Sequence, residues 1–121
     1  MSALVAALML WLTQNAPELH VPPARPQEVR FVSRTEILRM THGDELAKTT
    51  GACYMGVVYL DTRLDVFKRT EDRSVLLHEL VHYAQNNCAI PRDMTERVML
   101  EDQAYAIQAR YLYSQLSKGT K

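Results

Sequence analysis

Several features that mark specialised classes of protein are absent from this 121-residue sequence. It has no low-complexity tract, no block of like charges and no internal repeat. Lys+Arg and Asp+Glu both number 14, so the formal net charge is zero with neutral histidines. A zero balance gives no electrostatic basis for binding nucleic acid or an anionic membrane surface. We therefore expect a single compact domain over residues 1–121, without a nucleic-acid partner.

The sequence also lacks an apolar run long enough to cross a bilayer. Its longest run covers only residues 3–12, whereas a membrane-spanning helix needs about 20 residues. The first basic residue is Arg25, so no positively charged leader precedes the run, as a signal peptide would require. Four residues of this segment share one helical face: Leu4, Leu8, Trp11 and Leu12. We expect a first helix of the mature protein, with a signal peptide as the alternative.

Cysteine is scarce, with only two residues. Cys88 closely follows a predicted helix and Cys53 precedes a strand-like segment, so a bond between them would tie a helix end to a sheet. We predict this disulfide, and with it a periplasmic or secreted location, because disulfides persist in oxidising compartments. The alternative is a cytoplasmic protein with two reduced thiols.

The first two-thirds of the chain alternates between helix and strand patterns. Four of the five prolines lie in residues 17–27, which predicts an extended connector. The alternating "EVRFVS" predicts a strand, and "RTEILRMTHG" a short helix ending at Gly43. Residues 44–53 are expected to form a loop or a brief helical turn. Residues 54–69 predict a hairpin with its turn at residues 61–63.

Two longer helices complete the chain. The first is expected to start at a cap on Asp72 or Ser74 and to run to Asn86. The second is expected to start with a capping box of Asp93 and Glu96 and to run to about Gln115. The predicted fold class is α+β, with a small antiparallel sheet packed against helices.

The penultimate helix carries the motif H-E-x-x-H within "LLHELVHYAQ". Residues i and i+4 lie on one face of a helix, so His78 and His82 can offer two nitrogens to one Zn²⁺. Glu79 is rotated about 100° from His78. It can therefore take a proton from a zinc-bound water without ligating the metal, which makes it the expected catalytic base. The alternative is a pair of core histidines satisfied by other polar groups, but the apolar neighbours predict a buried helix that favours a metal.

Two histidines leave a zinc ion short of a third protein ligand. The last helix offers three candidates: Glu96, Glu101 and Asp102. Glu96 is expected to be occupied by the capping box.

At this point the sequence resembles a known group of enzymes. "SVLLHELVHYAQ" followed by "LEDQAYAIQARYL" is similar to the gluzincin-type metallopeptidases. It is closer still to small bacterial proteins with an "HELVHxxQ…ExxAYxxQ" pattern. The resemblance implies His78, His82 and Glu101 as zinc ligands and Glu79 as the base. It departs from the larger gluzincins in having Tyr105 and Gln108 where those enzymes carry an aspartate, and in having no room for a second domain.

Further residues of the expected site come from the same two helices and the hairpin. Glu101 shares a helical stripe with Val98, Tyr105 and Gln108, which we expect to pack against the motif helix. Tyr105 is the preferred oxyanion donor over Tyr83 and Tyr111. Gln85 is three residues after His82, so its amide is a candidate for binding substrate or ligand.

The hairpin is the expected place for a peptide substrate. Its residues 57–60, with Val58 and Tyr59 as contacts, can pair with an extended peptide at a sheet edge. His20 and His42 are expected to be solvated. The predicted function is a minimal zinc-dependent metallopeptidase, and the alternative is a zinc-binding module without catalytic activity. A third possibility is a cytosolic repressor-cleaving peptidase with reduced thiols.

Overall fold

The computed structural model describes residues 1–26, 28–40 and 50–119. Within these ranges four helices and three strands follow one another. They are α1 (Ser2–Asn15), β1 (Glu28–Val32), α2 (Arg34–Met40), β2 (Gly51–Tyr54), β3 (Val57–Asp61), α3 (Thr70–Asn86) and α4 (Met94–Gly119). The predicted α+β class is confirmed. The expected helix end at Gly43, the predicted solvation of His42 and most of the expected loop at residues 44–53 lie outside the described residues.

The sheet is mixed, with strand order β1-β3-β2, so the prediction of a purely antiparallel sheet is wrong. β2 pairs antiparallel with β3, but β1 runs parallel to β3, with Glu28 opposite Val57 and Val32 opposite Asp61. The segment between Val32 and Val57 contains α2, and it is long enough for the crossover that parallel pairing requires. β3 therefore lies in the centre of the sheet.

The hairpin turn lies earlier in the chain than the sequence predicts. Met55 and Gly56 have φ angles of 50° and 81°, and two positive φ angles are typical of a tight two-residue hairpin turn. This turn joins β2 to β3 and makes Gly51–Tyr54 a strand, although residues 44–53 were expected to form a loop. At the predicted turn, Asp61 ends β3 and accepts hydrogen bonds from the backbone N–H and the guanidinium of Arg63.

The apolar segment near the start of the chain forms α1, as predicted. Its residues Val5, Leu8, Met9 and Leu12 are buried in the core. The Trp11 ring meets the edge of Tyr111 of α4, with 5.1 Å between the ring centroids. In the described part of the chain, every helix is too short or too polar to cross a membrane.

α3 is the central helix of the fold. Leu76, Leu77, Leu80 and Val81 are fully buried, and α4 packs against it through Ala104, Ile107 and Tyr111. This face of α4 is displaced from the predicted stripe, since Val98 and Tyr105 are mainly exposed. The small side chain of Ala104 allows the two helices to approach closely.

The helix starts agree only in part with the predicted caps. α3 begins at Thr70, so Asp72 and Ser74 are inside it: Asp72 accepts a hydrogen bond from the Asp65 N–H, and Ser74 donates to the Glu71 carbonyl. At α4, Asp93 does cap the helix by accepting from the Glu96 N–H at 2.8 Å. The Glu96 carboxylate, however, binds the backbone N–H and guanidinium of Arg92.

The predicted disulfide joins Cys53 of β2 to Cys88, just beyond α3. Their Cα atoms are 5.2 Å apart, within the usual range for a disulfide. The bond ties one edge of the sheet to the C-terminal end of the central helix, as the sequence predicted.

Candidate metal centre

Three potential ligand atoms meet between α3 and α4. The Nε2 atoms of His78 and His82, one helical turn apart on α3, are 3.2 Å from each other. Glu101 of α4 brings its Oε1 to 3.2 Å from Nε2 of His78 and into closer contact with Nε2 of His82. The three side chains form a group that could hold a metal ion. The structure therefore brings together the three residues named from the sequence.

Glu101 reaches the histidines because the chain reverses sharply after α3. Asn87 ends that helix in the left-handed conformation, with φ 59°, and residues 87–93 lead into α4, which packs back along α3. The two other acidic candidates point elsewhere. Glu96 is paired with Arg92, and Asp102 is exposed and about 100° around the helix from Glu101.

A glutamine orients each histidine ring through its other nitrogen. Gln85 Oε1 lies 2.8 Å from Nδ1 of His82, and Gln108 Oε1 lies 2.9 Å from Nδ1 of His78. A carbonyl oxygen only accepts, so each contact is a hydrogen bond when Nδ1 of the ring carries a proton. When the rings are neutral, both Nε2 atoms present lone pairs to each other and to the Glu101 carboxylate. Three converging acceptors need a cation or a proton among them.

The spacing of the two histidine nitrogens is compatible with a shared metal ion. Zn–N bonds of 2.0–2.1 Å at a tetrahedral angle, for example, place two imidazole nitrogens about 3.3 Å apart, close to the 3.2 Å between the two Nε2 atoms. Two imidazoles and a carboxylate are also a ligand set that occurs in metal sites of proteins. The residues present therefore fit a metal ion.

In the metal-free protein, burial and mutual contact shift the pKa values of His82 and Glu101. Burial opposes the charged form of His82, but its hydrogen bond to Glu101 and the nearby carboxylates raise its pKa to about 8. Burial likewise opposes the charged form of Glu101, yet its contacts with His78 and His82 hold its pKa well below the usual range. These opposite pKa shifts of His82 and Glu101 favour an ion pair between them in the metal-free protein.

Glu79 lies beside this group and does not join it. Its side chain is only 6% exposed, and it lines the cleft that also contains the histidines. Among the described residues no hydrogen bond to its carboxylate is present. Burial raises the pKa of Glu79, although the two histidines act in the opposite direction. Glu79 is therefore a buried carboxylate next to the ligand group, without a hydrogen-bond partner among the described residues.

The cleft has a volume of about 600 Å³. α3 forms its floor, β2 one wall, and α4 with the preceding linker the other. Tyr105 stands on the α4 wall with its ring centroid 4.6 Å from that of His78, and it is 60% exposed. Burial, together with the charges of Glu101 and Glu79, raises the pKa of Tyr105, so its hydroxyl keeps its proton.

The predicted substrate contacts lie in different surroundings. Val58 is fully buried, and neither Val58 nor Tyr59 lines the cleft, because β3 is paired on both sides. The edge at the cleft belongs to β2. The Gln85 amide contacts His82, one of the candidate ligands, and it also donates to the Leu100 carbonyl and to Gln103. Binding of substrate by Gln85 stays a prediction. His20 is exposed, as predicted.

Two residues at the site had no role in the sequence-based prediction. Gln108 lies seven residues after Glu101 on the predicted stripe, but the sequence does not predict its contact with His78. Its spacing of two helical turns from Glu101 is the sequence feature that could have indicated a place at the site. Gly51 was also missed. A Cβ at Gly51 would lie 3.1 Å from Oε2 of Glu79, so the glycine lets β2 approach the base.

The chain belongs to the family described as "Domain of unknown function (DUF6647)", which matches residues 1–118. No curated protein and no solved structure is similar enough to the chain to match it. The family places nearly the whole chain in one homologous unit and assigns no activity to it.

Proposed function

We propose that this member of the DUF6647 family is a zinc-dependent hydrolase, a minimal metallopeptidase of gluzincin type. One observation carries the proposal. The unpaired carboxylate of Glu79 lines the same cleft as the converging atoms of His78, His82 and Glu101. This combination supplies both a metal site and a separate base, as hydrolysis by activated water requires.

His78, His82 and Glu101 would hold the zinc ion, leaving the fourth position open to the cleft. A zinc ion bound there lowers the pKa of water to about 7 and polarises a carbonyl group. Neutral amides orient both histidines, so Glu101 and Glu79 would be the two carboxylates near a bound cation. Their two negative charges balance a divalent cation.

Glu79 would act as the general base. It accepts a proton from the attacking water at a carboxylate oxygen and then delivers this proton to the leaving amine. Burial raises its pKa above the ordinary value, and a raised pKa makes a carboxylate a stronger base. Tyr105, protonated and at the cleft wall, is placed to donate a hydrogen bond to the oxygen on which negative charge develops.

The edge of β2 would bind the peptide backbone. The Asp61 N–H donates to the Thr50 carbonyl at 2.9 Å, and hydrogen bonding alternates along an antiparallel ladder. The backbone groups of Gly51 and Cys53 therefore point away from β3. Among the described residues no strand pairs with this side of β2. An extended peptide can add here as a further strand, with its backbone beside Glu79.

The disulfide supports an oxidising location for this activity. Cys53 and Cys88 both line the cleft, and their bond fixes β2 against the end of α3. We propose a periplasmic or secreted protein, because such bonds are rare in reducing compartments.

The test is zinc uptake together with peptide cleavage. Metal-free protein is dialysed against zinc, its metal content is measured, and a mixed peptide library is digested with and without a chelator and analysed by mass spectrometry. We expect about one zinc per chain and chelator-sensitive cleavage. Zinc binding without cleavage would support the alternative of an inactive zinc module. Failure to bind zinc would reject both functions.

A further inference from the structure

We propose that Gln85 and Gln108 are positioning residues that keep a proton on Nδ1 of His82 and His78, so that Nε2 is the nitrogen offered to the metal. The inference rests on the proposed metal site, but it describes a property of the metal-free protein. The direction of every hydrogen bond involved can be traced back to a backbone carbonyl, which can only accept.

For His82 the chain of hydrogen bonds begins at the Leu100 carbonyl on α4. This oxygen accepts from Nε2 of Gln85 at 2.9 Å, which fixes the orientation of the amide. Gln103 Oε1, 2.8 Å from the same nitrogen, accepts its second proton. Gln85 Oε1 therefore faces His82, and Nδ1 of His82 donates to it across 2.8 Å. Rotating the amide by 180° would place two oxygens against each other at Leu100.

For His78 the chain begins within α3. The Ser74 hydroxyl donates to the Glu71 carbonyl at 2.6 Å, so its oxygen is left to accept. Gln108 Nε2 donates to that oxygen at 3.1 Å. Gln108 Oε1 is thereby turned towards His78, whose Nδ1 donates to it at 2.9 Å. Both glutamines thus perform the same function from opposite helices.

This arrangement links ring orientation to the packing of α3 against α4. Gln108 is on α4 and orients a histidine of α3, whereas Gln85 is on α3 and is itself fixed by groups of α4. Groups that orient metal-binding histidines typically change metal affinity about 10–100-fold when removed. Both orienting groups here are neutral amides, so they fix the rings without adding negative charge to the site.

The first experiment is ¹H–¹⁵N NMR of the metal-free full chain at pH 9, above the pKa of about 8 of His82, where its ring is mainly neutral. Two-bond couplings to the ring protons assign each imidazole N–H to Nδ1 or Nε2. We expect a protected, slowly exchanging Nδ1–H in both His78 and His82. Gln108→Leu should abolish the protection at His78 alone, and Gln85→Leu the protection at His82 alone. Gln115→Leu is the matched control, because Gln115 is a partly buried glutamine two turns further along α4, and it should change neither signal.

A conservative variant separates positioning from a loss of packing. Gln108→Glu keeps an acceptor for Nδ1 of His78, and the Ser74 hydroxyl can rotate to donate to it. This variant should retain the protected Nδ1–H even if Gln108→Leu fails to fold. Unprotected Nδ1 atoms in the parent, or protection that survives in both leucine variants, would overturn the proposal. Loss of the His78 Nδ1–H signal in Gln108→Glu, with the backbone amide spectrum otherwise unchanged, would also overturn the proposal.

Zinc affinity, measured by competition with a chelator, is the second readout. Each leucine variant should bind zinc about 10–100-fold more weakly than the parent, and Gln115→Leu should bind like the parent. Unchanged affinity in both leucine variants would contradict the proposed role. If the parent binds no zinc, the proposed function fails, whereas the NMR result in the metal-free protein still decides the role of the two glutamines.

Discussion

The Nε2 atoms of His78 and His82 lie 3.2 Å apart, and a glutamine carbonyl holds the opposite nitrogen of each ring. Two neutral imidazoles would not direct bare lone pairs at each other and at a carboxylate without a positive charge among them. A proton can supply that charge in the metal-free protein, and a zinc ion can supply it in the loaded protein. The predictions below follow from this competition.

Glu101 should be the acidic residue that determines zinc affinity. Glu101→Ala removes one of three ligands and leaves two histidines and water, so we expect its zinc dissociation constant to rise steeply. Asp102→Ala is the matched control, since Asp102 is the adjacent acidic residue and is exposed away from the histidines. Competition with a chelator measures both constants. Equal affinity of Glu101→Ala and the parent would remove Glu101 from the ligand set.

Gly51 should matter for hydrolysis more than for zinc binding. In Gly51→Ala the new Cβ would lie 3.1 Å from both Oε2 of Glu79 and Cγ1 of Val75, so the carboxylate must shift by a few tenths of an ångström. A misplacement of about 1 Å can cost about 10² in rate, and we expect a smaller loss, on the order of tenfold. Zinc content and peptide turnover are measured on the same sample. Turnover equal to that of the parent would show that β2 does not constrain the base.

The disulfide should contribute strongly to stability. Cys53 and Cys88 are 35 residues apart, and closing a loop of that length is worth about 3–4 kcal/mol in the chain-entropy account. Urea unfolding of the Cys53→Ser, Cys88→Ser double variant should show this loss of unfolding free energy. Two titratable thiols in denatured parent protein made in an oxidising compartment would contradict the bond itself.

The metal-free protein should become less stable as the pH rises above neutrality. The pKa of His82 is about 8 in the folded chain against 6.5 as the ordinary value. The stabilisation of the folded chain by protonated His82 is therefore complete below pH 6.5, and it is lost as the pH rises through 8. A pKa raised from 6.5 to about 8 corresponds to about 2 kcal/mol of unfolding free energy. His82→Gln should lack this decline between pH 6.5 and 9 in urea titrations, and an equal decline in both proteins would assign it to another group.

How much of this site could be predicted depended on the range of the interactions. The grouping of His78, His82 and Glu101 rests on helical spacing, which is local, and on one helix–helix contact that the small residue Ala104 indicates. The hairpin turn at Met55–Gly56 has no such local mark, because methionine is an unusual residue with a positive φ. Because the sequence places the turn too late in the chain, it assigns the exposed sheet edge to β3, whereas the edge at the cleft is β2. Val58 and Tyr59 are predicted as substrate contacts for this reason.

The contacts of the two glutamines could not be predicted for a different reason. Gln108 belongs to the predicted stripe, but the packed face of α4 is displaced from that stripe, and the partner of Gln108 depends on how α3 and α4 are rotated against each other. Gln85 was assigned to the ligand face, whereas its amide depends on the Leu100 carbonyl across the interface. Such side-chain to backbone contacts between helices leave no pattern in either helix alone.

The most direct test of the central claim is a comparison of Glu79→Gln with the parent, with zinc content and peptide cleavage measured on the same preparations. Glutamine keeps the shape of the side chain and removes its basicity, so we expect about one zinc per chain in both proteins. Cleavage should fall by about 10²–10⁴ in the variant, the usual effect of losing a general base. Cleavage at the parental rate, or loss of zinc from Glu79→Gln, would contradict a zinc-dependent hydrolase in which Glu79 is the base.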